Sequence, residues 1–414
     1  MATHDPYSVA LEIREQLSSE KRRLGFFFGA GTSMAVGLPG IDHLTEKVCE
    51  ELQEPDKAHF VNVKNELKEG SNVEDVLNRI RLYRELIGDS EEEEHCGIKG
   101  SYAARMLDSA ICHMICKIIS KDPPYGLDKH LIFAQWLKAL HCNRCWPVEI
   151  FTTNYDLLFE KAMESYGIPF FDGFIGSVAP FFAPESVEAE EEKMNETAYP
   201  PRTWTRLWKL HGSINWYLQK DTSSSIERIT RFSGLCDITG KELVIFPSRD
   251  KYIQSRKLPF ITYQDRLTKF LSSGERLVFI IGYSFSDEHL NSIMFQGLRS
   301  NPRLAITAFI HSELPAKMIE YGKEFRNLTL YGPDRACIGG KVAPWSEPSR
   351  KPKETEAWAF WNDNIKSFAL GDFKSFALFL EEFIAFGKST IDNQRSPLPL
   401  KDMDLPSREK EYED

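Results

Sequence analysis

An apolar strand that runs directly into a glycine turn constrains this chain more than any other segment. Residues 26–33 read Phe-Phe-Phe-Gly-Ala-Gly-Thr-Ser. Because Gly29 and Gly31 lack a Cβ, the backbone can turn tightly there and bring its N–H groups close to a diphosphate. A purely structural turn is the alternative, since a G-x-G follows the first strand of many doubly wound domains. Position 34 is Met34, so the third glycine of the dinucleotide fingerprint is missing and a simple dehydrogenase is disfavoured.

Three later segments also lie where strands are predicted to end. Residues 151–156 read Phe-Thr-Thr-Asn-Tyr-Asp, residues 210–213 read Leu-His-Gly-Ser, and residues 281–284 read Ile-Gly-Tyr-Ser. Ligands of open α/β sheets bind at the carboxyl ends of the strands, so the four segments together predict a nucleotide pocket with a reactive end. Taken alone, Asn154 and Asp156 could simply cap the next helix, and a histidine beside a glycine is more often structural than catalytic.

In their order along the chain, these motifs resemble those of the sirtuin family. Residues 29–39 resemble the sirtuin G-A-G-x-S-x-x-x-G-I-P motif, and residues 153–156 resemble its Q-N-x-D motif. Residues 211–212 resemble the catalytic His-Gly, and residues 282–284 resemble the late glycine-x-serine loop. The resemblance implies an NAD pocket in an α/β fold with a doubly wound, mainly parallel, Rossmann-like sheet.

The resemblance also implies a role for each polar residue. His211 would be the base, a task that suits histidine because its side chain titrates near neutral pH. Asn154 would orient the ribose or the attacking water, and Asp156 would accept a hydrogen bond from the nicotinamide amide. From their own positions in the sequence, Asp287 is expected to cap a helix and could also reach the ribose, and His311, at the end of a strand, is expected near the adenine. The diphosphate and adenosine would be held by Gly29, Ala30, Gly31, Thr32, Ser33, Gly282 and Ser284.

Departures from the family pattern shape the expected activity. Lysine-deacylating sirtuins carry two cysteine pairs for zinc after the His-Gly, whereas only Cys236 lies between His211 and Gly282 here. An acid, Asp42, occupies the position where the family has an arginine. The chain therefore resembles the sirtuin-like NAD-hydrolysing effectors of bacterial antiphage systems. That resemblance implies an NAD glycohydrolase, a homo-oligomer and a separately encoded HerA-like ATPase partner. An NAD-dependent protein deacylase, an ADP-ribosyltransferase, and a module that senses NAD or ADP-ribose without turnover are the alternatives.

Composition limits the other classes of function. The formal charge of −10 over 414 residues argues against direct binding of nucleic acid, which depends on clustered lysine and arginine. No stretch reaches the roughly 18 to 20 apolar residues that span a bilayer, and the N-terminus lacks the features of a signal peptide. We therefore expect a cytoplasmic protein without a membrane anchor.

The cysteines contain two spacings that look like metal-ligand pairs. Cys112 and Cys116 lie four residues apart in an apolar helical segment, and Cys142 and Cys145 lie three apart. Buried free thiols are the favoured interpretation of the first pair, and no metal is expected.

The pattern of strands and helices predicts an enlarged catalytic domain followed by an extension. Residues 1–340 are predicted to form the NAD-binding domain, with a helical insert at about 43–145 and a mobile acidic loop at 185–192. Residues 341–390 are predicted to form a linker, which begins at about 332, and a helical extension; residues 391–414 are expected to be disordered. The phenylalanine-rich helix at about 373–386 could pack on the core or form an oligomer interface. Parallel strands are predicted at 24–28, 148–152, 208–210, 243–246, 276–281, 305–310 and 328–331.

Overall fold

The computed structural model describes residues 3–141, 144, 146–188, 200–201, 203–220, 227–232, 242–245, 258–350 and 358–387. The helices are α1 (Pro6–Ser18), α2 (Gly31–Met34), α3 (Ile41–Glu51), α4 (Asp56–Glu66), α5 (Val73–Ile87), α6 (Gly100–Ile119), α7 (Asp128–His141), α8 (Leu158–Ser165), α9 (Pro184–Glu188), α10 (Phe260–Ser272), α11 (Glu288–Ser300), α12 (Ala316–Glu324) and α13 (Phe373–Gly387).

The strands are β1 (Arg23–Phe28), β2 (Glu94–His95), β3 (Ile98–Lys99), β4 (Glu149–Thr152), β5 (Phe170–Phe171), β6 (Phe174–Ile175), β7 (Phe181–Phe182), β8 (Thr205–Lys209), β9 (Gly212–Lys220), β10 (Glu227–Arg231), β11 (Glu242–Ile245), β12 (Arg276–Ile281), β13 (Leu304–Phe309), β14 (Leu328–Tyr331), β15 (Arg335–Ile338), β16 (Lys341–Pro344), β17 (Trp361–Asn362) and β18 (Ser367–Phe368).

A large, mainly parallel sheet organises the chain. Over the described ranges its strand order is β16-β15-β14-β13-β12-β1-β4-β8-β5, and every pairing from β14 to β5 is parallel. The chain builds β4 and β8 on one side of β1 and then β12, β13 and β14 on the other. The predicted doubly wound, mainly parallel α/β fold is confirmed.

Alternate residues of the apolar strands pack into two different cores. Phe26 and Phe28 of β1 face a layer that includes α1, α7, α8 and α13. Phe27 faces the opposite layer, which includes α10, α11 and α12. Successive side chains of a strand point to opposite faces, and both faces of this sheet are covered, so β1 carries no polar side chain from Leu24 to Phe28.

A third core lies within the helical insert. Helices α3, α4, α5 and α6 enclose it. Ile214 and Tyr217, which belong to strand β9 outside the insert, also pack into this core. Cys112 and Cys116 of α6 are buried free thiols in this core, and Cys142 and Cys145 lie outside the described residues. The described part of the chain contains no group of three or more potential ligands positioned to hold a metal ion.

A smaller antiparallel sheet with the order β11-β9-β10-β7-β6 accompanies the main one. The strand predicted at 243–246 belongs to this sheet as β11, so its assignment to the parallel sheet is wrong. The reason is the His211-Gly212 turn, which sends the chain directly from β8 into the long strand β9, and β11 pairs with β9. The predicted acidic loop begins in the short helix α9, and its residues 189–192 lie outside the described residues.

The prediction that residues 332–356 form a linker is wrong for 335–344. Strands β15 and β16 form a hairpin there and add to the main sheet next to β14. Gly339 and Gly340, with φ of +55° and +83°, make the two-residue turn between them, a signal typical of hairpins. The domain boundary predicted at residue 340 thus falls inside this hairpin.

The phenylalanine-rich helix α13 packs against α7 within the chain. Phe373, Phe376 and Phe379 are each at most 1% exposed and belong to the core beneath α1 and α7. These three rings therefore need no second copy of the chain to cover them. The side chains of Phe383 and Phe386, and the predicted tail at 391–414, lie outside the described residues. Among the described helices, none combines the length and the apolar character required to cross a membrane.

Candidate active site

The carboxyl ends of four adjacent strands form one continuous edge. Backbone hydrogen bonds continue beyond the strands: the N–H of Gly29 donates to Ile281 O at 3.1 Å, and that of Thr153 donates to Phe28 O at 3.1 Å. The N–H of Leu210 donates to Thr152 O at 2.8 Å. The turns after β12, β1, β4 and β8 are therefore held side by side, which brings together the four motifs singled out in the sequence.

The glycines of the first turn are required by close packing against Gly282. A Cβ on Gly29 would lie 2.5 Å from Gly282 O, and one on Gly31 would lie 2.7 Å from Gly282 Cα. The peptide N–H groups of Gly29, Gly31, Thr32 and Ser33 all donate to backbone carbonyls within the protein. The N–H of the exposed Ala30 makes no such bond among the described residues. That this turn holds a diphosphate stays a prediction. The backbone N–H of Ala30 is the group in the turn that could donate to it.

We expect Gly282→Ala to destabilise the protein more than an equivalent change elsewhere. Gly282 has φ of +68°, and an added Cβ would lie 2.8 Å from Thr32 N. Gly167 is a matched control, because its φ is +61° and a Cβ there would meet nothing within 4 Å. Gly167→Ala should cost about 1 kcal/mol from backbone strain, and Gly282→Ala about 1–3 kcal/mol more from the clash. Urea unfolding of both variants measures the difference, and equal losses would contradict the packing argument.

Asn154 joins the first and second turns through its side-chain amide. Its Nδ2 donates to Gly29 O at 3.1 Å, Thr32 Oγ1 at 2.9 Å and Ser33 Oγ at 2.9 Å. The carbonyl of Gly29 can only accept a hydrogen bond, so it fixes which end of the amide faces the glycine turn. Asn154 is not the cap of α8, whose N-cap residue is Leu157 and has no side-chain cap bond.

Asp156 is buried against the same turn. Its Oδ2 accepts from Ser33 Oγ at 2.5 Å, and its Oδ1 accepts from the N–H of Leu158 at 3.0 Å. Helix capping was the alternative role predicted for Asp156. The bond to Leu158 makes that alternative partly correct, because Asp156 does hold the start of the helix. It also explains why α8 begins at Leu158.

His211 lies at the end of β8 and contacts Asp287. The two side chains approach at 3.2 Å between His211 Nε2 and Asp287 Oδ2, and the histidine side chain is 14% exposed. The other carboxylate oxygen of Asp287 accepts from the N–H groups of His289 and Leu290 at 2.9 and 3.0 Å, which confirms the predicted cap. Burial raises the pKa of Asp287, but the hydrogen bond and charge of His211 and the two backbone amides lower it to about 2. Asp287 is therefore an ionised carboxylate.

The remaining predicted residues follow β12 and β13, the strands on the other side of β1 from β8. Ser284 is exposed in the turn after β12, and its Oγ is 2.9 Å from Ser286 Oγ. His311 is exposed just beyond the carboxyl end of β13. Their predicted contacts with the adenosine half of a nucleotide stay predictions.

Two residues of this edge were given no role in the sequence analysis. Lys209 is 1% exposed, and its Nζ donates to the carbonyl of Asp156 and to Glu160 Oε1, the latter at 2.8 Å. Burial raises the pKa of Glu160, although the neighbouring lysine lowers it. The signal in the sequence was a lysine between Trp208 and Leu210 in a predicted strand. Ser213, directly after the His-Gly turn, is 0% exposed and its Oγ has no hydrogen-bond partner in the described ranges.

Comparisons with known proteins found a similarity to Sir2 proteins. Residues 148–328, less than half of the chain, match the family model of the SIR2-like domain. This range contains Asn154, His211 and Gly282 and begins after the glycine turn at 29–33. No curated protein matches the chain.

Solved structures of Sir2 proteins are similar to the chain at low identity. A mutant Sir2 homologue in complex with ADP-ribose is 13% identical, with 92% of this chain and 99% of that one covered and a TM-score of 0.36. A Sir2 homologue in complex with NAD is also 13% identical, with 77% and 87% covered and a TM-score of 0.33. A structure from work on the mechanism and regulation of Sir2 enzymes is 12% identical, with 94% and 100% covered and a TM-score of 0.37. The family match, and not these structures, carries the similarity of residues 148–328 to the SIR2-like domain.

Proposed function

We propose that this protein is an NAD glycohydrolase that cleaves NAD to nicotinamide and ADP-ribose. The observation that carries the proposal is the convergence of Asn154, Asp156 and His211 at one sheet edge, beside the glycine turn. The SIR2-like domain supports NAD as the substrate, and Sir2 homologues have been solved with NAD and with ADP-ribose. His211 is partly exposed, as a group that must meet a substrate needs to be.

Cleavage breaks the bond between the nicotinamide nitrogen and C1′ of the ribose. The bonding electron pair leaves with nicotinamide, positive charge builds on the ribose, and the oxygen of a water molecule bonds to C1′. One proton is then released, and His211 is the proposed base that accepts it. The products are nicotinamide, ADP-ribose and a proton, so no further reactant is needed.

Each of the other residues has a proposed part in this reaction. The hydrogen bonds of Asn154 among the described residues use its Nδ2 and its backbone N–H, which leaves Oδ1 to orient the ribose or the water. Asp156 would accept a hydrogen bond from the nicotinamide amide. The glycine turn would lie against the diphosphate, with the Ala30 N–H as donor, and Ser284 and His311 would lie beside the adenosine.

The absence of the zinc cysteines from the sequence favours hydrolysis over deacylation. Only Cys236 lies between His211 and Gly282, whereas a deacylase of this family carries four cysteines there. Water is then favoured over an acyl-lysine as the acceptor for the ribose.

Product analysis tests the proposal. Purified protein is incubated with NAD, with and without an acetyl-lysine peptide, and the products are separated by chromatography. We expect equal amounts of nicotinamide and ADP-ribose, at a rate that does not depend on the peptide. Nicotinamide release only with peptide would identify a deacylase, ADP-ribose attached to protein would identify a transferase, and binding without release would identify a sensor.

We also propose that this activity depletes cellular NAD in antiphage defence. The support is the combination of kept NAD motifs and missing zinc cysteines, which resembles the sirtuin-like effectors of such systems and implies a homo-oligomer and a HerA-like ATPase partner. A cytoplasmic location is part of the same proposal. An unrestrained NAD hydrolase would harm its own cell, so control by a partner fits the proposed activity.

A further inference from the structure

The contact between His211 and Asp287 joins two strands that are not neighbours in the sheet. His211 follows β8 and Asp287 lies beyond β12, with β1 and β4 between them. At about 4.8 Å per strand, the ends of β8 and β12 are roughly 14 Å apart. The segment from Gly282 to Asp287, together with the two side chains, therefore spans the carboxyl ends of β1 and β4 and brings a carboxylate to His211.

This crossing segment is held in a costly conformation by its own contacts. Phe285 has φ of +56°, a left-handed conformation that is rare for a bulky side chain. Asn291 Nδ2 donates to Phe285 O at 2.8 Å, and the hydroxyl of Tyr283 contacts Asn291 Oδ1 at 3.2 Å. These bonds anchor the segment to α11, so the position of Asp287 is fixed before any ligand arrives.

From this geometry we propose that Asp287 is a positioning residue that fixes the tautomer of His211 and makes Nδ1 its basic nitrogen. The inference rests on the proposed NAD hydrolysis. An ionised carboxylate can only accept hydrogen bonds, so the ring nitrogen facing Asp287 Oδ2, Nε2, must carry the hydrogen. A neutral imidazole has one N–H, and its lone pair is then on Nδ1.

Substitution by asparagine separates this role from helix capping. The N–H groups of His289 and Leu290 need an acceptor, so Oδ1 of an asparagine would take that position, where asparagine caps as well as aspartate. The amide nitrogen would then face His211 Nε2 as a donor and force the hydrogen onto Nδ1. Asp287→Ser also keeps a cap but is too short to reach His211, so it removes the constraint without reversing it.

The experiment compares wild type, Asp287→Asn and Asp287→Ser for kcat on NAD, NAD affinity, melting temperature and tautomer. The tautomer is read from ¹⁵N shifts of labelled histidine, and the His211 signal is identified by its loss in His211→Gln. We expect Asp287→Asn to lower kcat by about 10²- to 10⁴-fold, with NAD affinity within threefold and melting temperature within about 2 °C of wild type. Asp287→Ser should lose less activity than Asp287→Asn. The His211 signal should change from the Nε2–H to the Nδ1–H tautomer in Asp287→Asn.

Several results would overturn the inference. Activity of both variants within twofold of wild type would show that Asp287 only caps α11. Loss of kcat together with NAD affinity or melting temperature would show a structural role instead. An Nδ1–H tautomer in the wild type would contradict the assignment directly. If wild type does not cleave NAD, the proposed function fails, and the tautomer measurement still decides this inference on its own.

Discussion

Replacing His211 with alanine is expected to lower the rate of NAD cleavage by about a hundredfold to ten-thousandfold, the usual cost of losing a general base. The protein should stay folded, because the imidazole lies at the end of β8, is partly exposed and is not part of a hydrophobic core. Steady-state release of nicotinamide measures the rate, and circular dichroism checks the fold.

His43→Ala is the matched control for this prediction. His43 is an exposed histidine at the start of α3, with its side chain 59% exposed and paired with Glu46. Its removal deletes an imidazole without touching the sheet edge. Turnover by His211→Ala within a few-fold of the His43→Ala variant would contradict the assignment of His211 as the base.

Lys209→Met is expected to lower the free energy of unfolding by about 3–5 kcal/mol, because it leaves the carboxylate of Glu160 without its buried partner. The Lys209 side chain is 2% exposed and that of Glu160 is 15% exposed, so water cannot replace the lost ammonium. The carbonyl of Asp156 loses its donor as well, so NAD cleavage should fall too. Urea unfolding and the nicotinamide assay measure the two effects.

Two further variants show whether loss of the buried ion pair causes the predicted drop in stability. Lys209→Met combined with Glu160→Gln removes both charges, and it should recover part of the lost stability. Lys366→Met removes a lysine that is 52% exposed beside Asp363 and Glu347, and it should change stability far less. If the double variant is as unstable as Lys209→Met, the loss of stability comes from lost packing and not from the unpaired charge.

The periodicity of the apolar residues and the positions of the turn residues were sufficient to predict the parallel core of the fold. Strands β12 and β14 begin and end at the residues predicted, because both are short, mainly apolar runs that stop at a glycine. The Gly339-Gly340 hairpin was missed because charge and glycine around it are also typical of a linker. The strand at Glu242–Ile245 was found but assigned to the wrong sheet, since a sequence pattern does not state which strand is the neighbour.

The sequence by itself determined which residues stand at the ends of strands: the glycine turn, Asn154, Asp156, His211 and Gly282. Parallel strands place such ends at one edge, so these residues had to meet once the sheet order was right. Tertiary structure alone decided that Asp287 reaches His211 across two intervening strands and that Lys209 supports the Asp156 turn from beneath. Both contacts join residues more than 50 positions apart, and their partners are set by strand order and by a loop held in a left-handed turn. Local propensity carries no information about either, because the same capping aspartate and the same strand lysine would be acceptable in many other folds.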